Sequence, residues 1–295
     1  MKIFVTGASG FIGSAVVAEL IDAGHDVVGL ARSDASAQAV ADAGAGVHRG
    51  SLDDTDSLRR GAESADGVIH LAFKHDFNDF LSGAEADRRA IETLGDALAG
   101  SDRPLAVAGG ILWLAPGQTL TEDQPAPKDL PRFSEAAVLG LTGRGVRTAV
   151  VRLPPSVHGA GDHGFVPYLI GVAREKGVAA YVGDGANRWP AVHRLDAARV
   201  FRLAVESAPP GSILQAVDDE GVPARAIAET IGKHTDLPVE SVSPDDAYDH
   251  FGWIGPLFSV DAPATSVATR GLLGWQPTHA GLLDDLDAGH YFTES

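Results

Sequence analysis

Cysteine is absent from all 295 positions of the sequence. Disulfide frameworks, thiolate catalysis, iron–sulfur clusters and cysteine zinc sites are therefore excluded, which leaves His, Asp and Glu as the candidate metal ligands. Residues 158–163 combine two histidines with an aspartate, but this stretch is rich in glycine and fixes no ligand geometry. We therefore predict no metal site.

Basic residues are also scarce, since 23 Lys and Arg stand against 40 Asp and Glu and the formal net charge is −17. Such a balance repels phosphate backbones and anionic lipid headgroups, so we expect neither a nucleic-acid nor a membrane partner. The longest apolar run, residues 105–115, contains two glycines and falls short of the roughly 20 residues of a membrane span. No stretch resembles a secretion signal, and the composition suits a cytoplasmic protein.

Short apolar runs alternate with helical periodicity along the first half of the chain. After an apolar run at residues 3–5, Ile12 and Val16 recur at helical spacing until Gly24 ends the pattern. Repeated alternation of this kind predicts parallel strands with right-handed crossovers, hence a Rossmann-type doubly wound α/β sheet. Beyond residue 155, helical segments broken by glycine-rich turns predict a smaller, irregular α/β region interleaved with the last strands.

A glycine-rich turn lies between the first predicted strand and the first predicted helix. Gly7 permits a tight turn, Gly10 lets backbone N–H groups approach a pyrophosphate, and Gly13 lets the helix lie close to the sheet. This position at the start of a βαβ unit favours dinucleotide binding over an ordinary glycine turn. We predict a dinucleotide-binding domain over residues 1–155 and a mainly substrate-binding region over residues 156–295. The other turn residues predicted to contact the cofactor are Ser9, Phe11 and Ile12.

The end of the second predicted strand indicates which dinucleotide is bound. An acid at this point reads the ribose 2′-hydroxyl of NAD, whereas a basic residue accommodates the 2′-phosphate of NADP. Here Arg32 and Ser33 follow the strand, and Asp34 lies just beyond it. Because Arg32 can clamp a phosphate and Ser33 can donate to it, we predict NADP, with NAD left open. The alternative is an exposed loop arginine with no ligand.

Four segments together resemble the extended short-chain dehydrogenase/reductases of the epimerase/dehydratase type. They are the glycine turn, residues 70–72 (His-Leu-Ala), residues 152–159 (Arg-Leu-Pro-Pro-Ser-Val-His-Gly) and residues 192–196 (Val-His-Arg-Leu-Asp). The resemblance runs from residue 1 to about residue 280, and the glycine turn is its most specific part.

This resemblance implies a Rossmann domain, a C-terminal substrate lid and a small-molecule substrate. It also implies a homodimer through two helices, here residues 85–99 and 132–145. The further cofactor-binding residues that it implies are Leu52 at the adenine, Ala72 with its neighbour Leu71 at the ribose, and Leu153 and Pro155 at the nicotinamide.

The catalytic signature of that family, a Tyr four residues before a Lys, is missing. The residues four positions after Tyr168, Tyr181, Tyr248 and Tyr291 are Val, Gly, Gly and Ser. The strand end that carries a Ser or Thr in the family reads Ala-Gly-Gly-Ile at residues 108–111, and Ser51 replaces the usual adenine-contacting Asp. The chain therefore resembles an atypical member, and its chemistry does not follow from the fold.

Reduction of a carbonyl needs a proton donor and positive potential near the oxygen. Arg132 lies four residues after Lys128 and could replace the lysine of the signature, although it could equally be an exposed or phosphate-binding arginine. His75 has an adjacent carboxylate and titrates near neutral pH, unless it belongs to a plain polar loop. We predict Arg132, His75 and His158 as catalytic candidates, and His163 as a second substrate-contacting histidine.

Three functions compete on this sequence. The leading hypothesis is an NADP-dependent oxidoreductase that reduces an aldehyde or ketone with a proton donor other than tyrosine. The second is a catalytically silent NADP(H)-binding redox sensor, which the missing tyrosine favours and the aromatic lid opposes. An NAD-retaining epimerase or dehydratase is weaker, because those reactions also use the tyrosine. Phe165, Trp189 and Trp253 are predicted either as pocket walls or as core residues. Asp196 is predicted as a structural residue that caps the helix starting near it or pairs with a nearby arginine.

Overall fold

Strands and helices alternate in the computed structural model, which describes residues 1–74, 79–127, 130 and 133–293. Its strands are β1 (Lys2–Thr6), β2 (Asp26–Ala31), β3 (Gly46–Arg49), β4 (Gly67–His70), β5 (Pro104–Gly110), β6 (Arg147–Leu153), β7 (Ser156–His158), β8 (Ala179–Val182), β9 (Arg188–His193), β10 (Ser212–Gln215), β11 (Asp219–Pro223) and β12 (Val239–Val242). Its helices are α1 (Phe11–Asp22), α2 (Asp34–Asp42), α3 (Thr55–Glu63), α4 (Phe80–Leu98), α5 (Ser134–Leu139), α6 (Phe165–Lys176), α7 (Arg194–Ser207), α8 (Ala224–Thr235), α9 (Ala247–Phe251), α10 (Gly255–Phe258), α11 (Val267–Leu273) and α12 (Leu282–Asp287).

Seven parallel strands form the main sheet in the order β10-β6-β5-β4-β1-β2-β3. The predicted doubly wound α/β fold is confirmed, because the order 3-2-1-4-5-6 reverses direction between β1 and β4. At that reversal Thr6 pairs with His70, so the carboxyl ends of the two strands lie side by side. Ligands of open α/β sheets bind in the crevice outside this point.

Helices cover both faces of the main sheet. On one face Leu20 of α1 and Phe201 of α7 are fully buried in the same cluster as the strands. On the other face Leu58 of α3, Ile91 of α4 and Val138 of α5 are equally buried. Each such side chain stabilises the fold by about 1.5–3 kcal/mol relative to exposure, which holds the strand ends in a fixed order.

A second region packs beside the sheet. It contains a three-stranded sheet in the order β11-β9-β7, a two-stranded sheet of β12 and β8, and the helices α6, α8–α10 and α12. Trp189 of β9 is fully buried in this core against Phe165 and Phe258, so it is a packing residue and not a pocket wall. The division at residue 155 stays a prediction, although α7 and β10 come after it in sequence and pack on the main sheet.

Among the described residues, no helix combines the length and the apolar character needed to cross a membrane.

Candidate functional site

The glycine turn after β1 is fixed by steric demands of the backbone. Gly7 has a φ of 70°, and a Cβ placed there would lie 2.8 Å from the backbone nitrogen of Ala72. A Cβ at Gly13 would lie 1.9 Å from the carbonyl oxygen of Gly7, while the N–H of Gly10 donates to that same oxygen at 3.0 Å. Side chains at positions 7 and 13 would therefore fill the cradle in which the turn approaches the sheet.

The N-terminus of α1 faces this turn without a side-chain cap. Gly10 is the N-cap residue and offers no side-chain oxygen, and the first turn of α1 contains no acidic residue. Ser9 and Gly10 are exposed, and Phe11 and Ile12 are half-buried. An uncapped helix N-terminus with outward backbone N–H groups attracts an anion, so the residues present fit the pyrophosphate of a dinucleotide.

Beyond β2, the predicted ribose-reading residues lie at the start of α2. The Ser33 hydroxyl caps this helix by accepting from the Ser36 N–H at 3.2 Å, so its position is fixed by the fold. Asp34 pairs with Arg49 at 2.6 Å. Arg32 is exposed and forms no ion pair with any described residue. The acid of this segment is thus engaged by one arginine, and the other is available for a ligand.

The remaining cofactor-binding candidates lie at the ends of neighbouring strands. Leu52 follows β3 and packs against the buried layer of α3 and α4. Beside it, the Lys74 ammonium after β4 donates to both oxygens of Asp53 at 2.7 and 2.8 Å. Residues after β3 and β4 are thereby joined along one edge of the crevice. The other candidates, all half-buried, are Leu71, Ala72, Leu153 and Pro155.

Beneath the turn, the Thr6 hydroxyl has only one possible orientation. Its oxygen accepts from the N–H groups of Leu71 and Ala72 at 3.2 and 3.3 Å, so its proton is donated to Nδ1 of His70 at 2.8 Å. Since Nδ1 of His70 accepts, the proton of the neutral ring lies on Nε2.

A buried polar chain continues from His70 into the helices. Its Nε2–H donates to Oδ1 of Asp87 on α4 at 3.1 Å, and the hydroxyl of Ser134, the first residue of α5, donates to Oδ2 at 2.5 Å. All three side chains are almost fully buried. Sequence reasoning missed this chain, although a histidine and an aspartate on otherwise apolar, buried elements were a signal for it. The chain ties both helices to the glycine turn.

A buried ion pair holds the loop after β5 against α5. Arg152 of β6 is fully buried and donates to the two oxygens of Glu135 at 2.8 and 2.7 Å. It also donates to the carbonyl of Gln124 at 2.7 Å, and the N–H of Ala126 donates to Glu135 at 3.0 Å. The pair is satisfied on all sides and positions the segment over the crevice. The available signal was a single arginine inside an apolar strand.

His158 at the end of β7 has a carboxylate partner from a distant helix. Its Nδ1 lies 2.8 Å from Oδ2 of Asp285 on α12, and the hydrogen bond and charge of His158 hold the pKa of Asp285 below its usual range although burial alone would raise it. Its Nε2 is buried and has no hydrogen-bond partner in the described part of the chain. A carboxylate-anchored imidazole with a free second nitrogen is typical of a general acid or base. The ring is fully buried, so a substrate reaches it only after movement.

His193 lies next to this pair and caps α7. Its Nδ1 accepts from the N–H of Leu195 at 3.3 Å, and its ring meets His158 edge-on and stacks on His279 at 4.5 Å. Burial together with repulsion from His158 and His279 lowers the pKa of His193 to about 4. His193 is therefore neutral at physiological pH.

Asp196 connects these histidines to the turn before α12. It is fully buried and accepts from the N–H groups of Thr278 and His279 at 3.0 and 2.9 Å, while its backbone carbonyl accepts from Nε1 of Trp275. These contacts are structural, but they join α7 to a distant turn and are neither the helix cap nor the arginine pair that was predicted. Asp196, His193 and His279 are close enough to share a cation. The two histidine rings are stacked in parallel, however, so their lone pairs do not converge on one point, and N–H donors already occupy the carboxylate of Asp196. This geometry does not suit a metal ion.

Residues of the second region reach across to the glycine turn. The guanidinium carbon of Arg194 lies 5.0 Å above the ring of Phe11, the first residue of α1. The ring of His163 meets the same phenyl ring edge-on at 5.8 Å. His163 thus lies beside the glycine turn, and its contact with a substrate stays a prediction. Arg194 belongs to the family-like segment 192–196, but no role was predicted for it from the sequence.

Aromatic side chains border the same side. Phe165 and Tyr168 of α6 both contact Trp253, at ring distances of 5.8 and 5.1 Å, and all three are half-buried. Trp113 follows β5 with a φ of 74° and is 44% exposed. A large residue rarely adopts positive φ, and such strained residues are concentrated at functional sites. Trp113 is therefore a candidate ligand-contacting residue in the loop at the carboxyl end of β5.

Tyr291 joins the C-terminal segment to the loop after β7. Its hydroxyl donates to Asp162 at 3.0 Å and accepts from the N–H of Gly159 at 2.9 Å. Burial and the charge of Asp162 raise the pKa of Tyr291 above its usual range. This tyrosine stays protonated and holds the loop in place.

Two predicted catalytic residues, His75 and Arg132, lie outside the described residues, as does Lys128. Their roles stay predictions.

Comparison with known proteins identifies the family. The model of the NAD dependent epimerase/dehydratase family matches residues 3–89. The Schizosaccharomyces pombe protein named Uncharacterized protein C2A9.02 is 48% identical over 295 residues, which cover 99% of this chain and 100% of that protein. The chain belongs to the NAD dependent epimerase/dehydratase family.

Further relatives within the epimerase/dehydratase superfamily include reductases. The 4-hydroxy-2-methyl-3-oxo-4-farnesyl-3,4-dihydroquinoline-1-oxide ketoreductase of Stigmatella aurantiaca is 29% identical over 300 residues, covering 94% of this chain and 88% of that protein. The crystal structure of DesIV, a dTDP-glucose 4,6-dehydratase from Streptomyces venezuelae with NAD bound, shares the fold with a TM-score of 0.78 at 19% identity and covers 98% of this chain and 96% of that chain. The superfamily consists of nicotinamide-cofactor-dependent oxidoreductases and epimerases.

Proposed function

We propose that the protein is an NADP-dependent oxidoreductase that reduces the carbonyl group of a small aldehyde or ketone. The observation that carries the proposal is the glycine turn, where an uncapped helix N-terminus opens beside an exposed arginine. NADPH supplies a hydride when it is bound. The chain itself contributes the anion-binding N-terminus of α1, the half-buried strand ends that border the crevice, and the aromatic side of the second region.

The preference for NADP rests on Arg32. Its guanidinium is exposed at the end of β2, and the neighbouring Asp34, which could otherwise read a ribose hydroxyl, pairs with Arg49 at 2.6 Å. Ser33 is held in place by its helix cap, and its hydroxyl is therefore ordered near the expected 2′-phosphate. A planar guanidinium recognises phosphate through two parallel hydrogen bonds.

The test of this preference is the Arg32→Glu variant. We expect NADPH binding to weaken by about 10-fold or more, since a charge-assisted contact is lost, and NADH binding to stay the same or improve. Dissociation constants from calorimetry measure both. Arg60→Glu, an equal charge change at an exposed position on α3, is the matched control and should leave both constants unchanged. Unchanged selectivity in Arg32→Glu would refute the assignment.

The proton donor is proposed among His158, His75 and Arg132. His158 has the hydrogen-bond geometry of a general acid, because Asp285 anchors Nδ1 and leaves Nε2 for proton exchange. His193 meets this ring edge-on and is neutral, so it adds no positive charge beside His158. The exchange requires the loop after β7 to move, because both nitrogens of His158 are buried.

One observation favours a second function, a catalytically silent NADP(H)-binding redox sensor. The family's Tyr and Lys are missing, and the best-placed histidine is covered. Binding of NADPH without its oxidation in the presence of any carbonyl, together with a protein partner retained in only one redox state of the cofactor, would support it.

We further propose that the protein is cytoplasmic and that it forms a homodimer through α4 and α5. Its substrate is a small molecule, and the net charge of −17 argues against nucleic-acid and membrane partners. We propose no metal, in keeping with the occupied carboxylate of Asp196.

A further inference from the structure

We infer that Arg194 binds the pyrophosphate of the dinucleotide from the side opposite the glycine turn. This inference rests on the proposed dinucleotide binding and adds to it a residue that comes from the second region of the chain. The anion would then lie between the backbone N–H groups at the start of α1 and a guanidinium at the start of α7.

Arg194 lies at the N-terminus of α1, where a phosphate would bind. Arg194 is the first residue of α7, and its guanidinium carbon lies 5.0 Å above the ring of Phe11. Phe11 is the first residue of α1, and its backbone N–H belongs to the helix end that faces an incoming phosphate. Stacking on a ring occupies the flat face of a guanidinium and leaves its N–H edge for hydrogen bonds.

The charge of Arg194 has no counter-ion among the described residues. Arg194 is half-buried and forms no ion pair within residues 1–74, 79–127, 130 and 133–293. Most other half-buried or buried arginines have an acceptor: some contact a carboxylate, namely Arg88, Arg152, Arg188, Arg202 and Arg270, and others donate to backbone carbonyls, namely Arg103, Arg147 and Arg199. Arg59 of α3 also lacks a described acceptor, but Arg194 differs from it in lying over Phe11 at the N-terminus of α1, where its N–H groups are available to an external anion.

The dipole of α7 also favours an anion beside Arg194. A cation in the first turn of a helix is opposed by the positive end of the helix dipole. The acid of that turn, Asp196, is already bonded to backbone N–H groups of Thr278 and His279 and so does not compensate Arg194 directly. An anion bound between α1 and α7 relieves the repulsion at both helix ends.

The loop after β7 fixes the direction of the side chain. Gly159 has a φ of 135°, and a Cβ there would lie 3.3 Å from Cγ of Arg194 and 2.8 Å from Nε2 of His193. Only a residue without a side chain lets the loop pass this close, and the arginine stem is thereby confined toward Phe11.

Arg194 and Arg32 are proposed to bind different phosphate groups of the cofactor. The pyrophosphate is common to NAD and NADP, whereas the 2′-phosphate belongs to NADP alone. Loss of Arg194 should therefore weaken both dinucleotides equally, and it should not affect adenosine 2′-phosphate, which has no pyrophosphate.

The experiment compares the dissociation constants of NADP, NAD and adenosine 2′-phosphate for the wild type, Arg194→Gln and Arg194→Lys by calorimetry. We expect Arg194→Gln to weaken NADP and NAD by the same factor, about 10-fold or more, and to leave adenosine 2′-phosphate unchanged. Arg194→Lys keeps the charge and should lie between the two. Arg199→Gln, on the same helix with a bond only to the Gln276 carbonyl, should match the wild type.

Two results would overturn the inference. Equal binding of both dinucleotides by the wild type and Arg194→Gln would mean that Arg194 only packs on Phe11. An equal loss of all three ligands, in Arg194→Lys as well, would mean that the residue maintains the crevice rather than holding the pyrophosphate. If the wild type itself binds no dinucleotide, the proposed function fails, and the first result is distinguished from this one because it requires wild-type binding.

Discussion

The two sides of the crevice are built from different parts of the chain. The side of the main sheet consists of backbone: the glycine turn, the N-terminus of α1 and the segment after β4, which lie so close that a Cβ added at Gly7 or Gly13 would come within 2.8 Å of neighbouring backbone. The side of the second region consists of side chains from distant positions, such as His158 and Asp285, which are 127 residues apart. The first side is built from backbone groups that we propose to bind a phosphate chain, whereas the second is held by contacts of titratable side chains. Changes on the first side should therefore weaken binding most, and changes at His158, Asp285 and His193 on the second side should alter rate and pH dependence.

The largest effect is expected on the backbone side. In Gly13→Ala, the new Cβ would collide with the Gly7 carbonyl at 1.9 Å, so α1 must shift away from the turn. We expect NADPH binding to weaken by about 100-fold, because several charge-assisted contacts of the pyrophosphate with the N-terminus of α1 would be lost together. Gly171→Ala, where a Cβ meets nothing within 4 Å, is the matched control and should bind normally. Binding by Gly13→Ala comparable to that of the control would contradict the role of the turn.

On the opposite side, the effect should appear in turnover. His158→Gln removes the proposed acid, and we expect kcat to fall by about 100-fold while the dissociation constant of NADPH is unchanged. Asp285→Asn keeps the imidazole but weakens its anchor at 2.8 Å, so its kcat should fall less. Steady-state kinetics and calorimetry on the same preparations measure the two quantities. Equal losses of turnover and affinity would assign these residues to cofactor binding instead.

The polar chain that joins the helices to the turn should affect stability next. Asp87→Asn leaves either His70 or Ser134 without its acceptor in a fully buried place. We expect the free energy of unfolding to fall by about 2 kcal/mol, the cost of an unsatisfied buried group. Chemical denaturation measures it, with Asp34→Asn as the control, because that exposed pair with Arg49 contributes about 0.5 kcal/mol or less. A loss no larger than that of the control would show that the chain does not hold α4 and α5.

The smallest effect is a pH dependence on the side of the second region. The pKa of His193 is about 4 in the folded protein against an ordinary 6.5, so the unfolded chain takes up the proton first. The contribution of neutral His193 to the free energy of unfolding should be complete above pH 6.5 and should decrease as the pH falls toward 4. Asn is a good helix N-cap and does not titrate, so His193→Asn should keep the stability at neutral pH and lose part of this slope. A variant with the slope of the wild type would exclude His193 as its source.

Much of the backbone side was predictable because glycine spacing and the order of strands and helices are local properties. Gly7 and Gly13 report a turn within a few residues, and the alternation of elements was sufficient for the doubly wound sheet. The other side depends on tertiary packing. No pattern in the sequence indicates that Asp285 meets His158 or that Arg194 stacks on Phe11, since these pairs form only when the two regions pack together.

Core packing also decided cases that composition left open. Trp189 could be a pocket wall or a core residue by its type alone, and full burial against Phe258 makes it core. Arg152 and Glu135 were not singled out, because a buried ion pair needs two elements whose contact no local pattern reveals.

The most direct test of the proposed function is consumption of NADPH, with NADH beside it, across a panel of aldehydes and ketones. We expect oxidation of NADPH that depends on the carbonyl compound, and a lower KM for NADPH than for NADH. Tight binding of NADPH without turnover of any carbonyl compound would contradict the proposed function and favour the redox sensor.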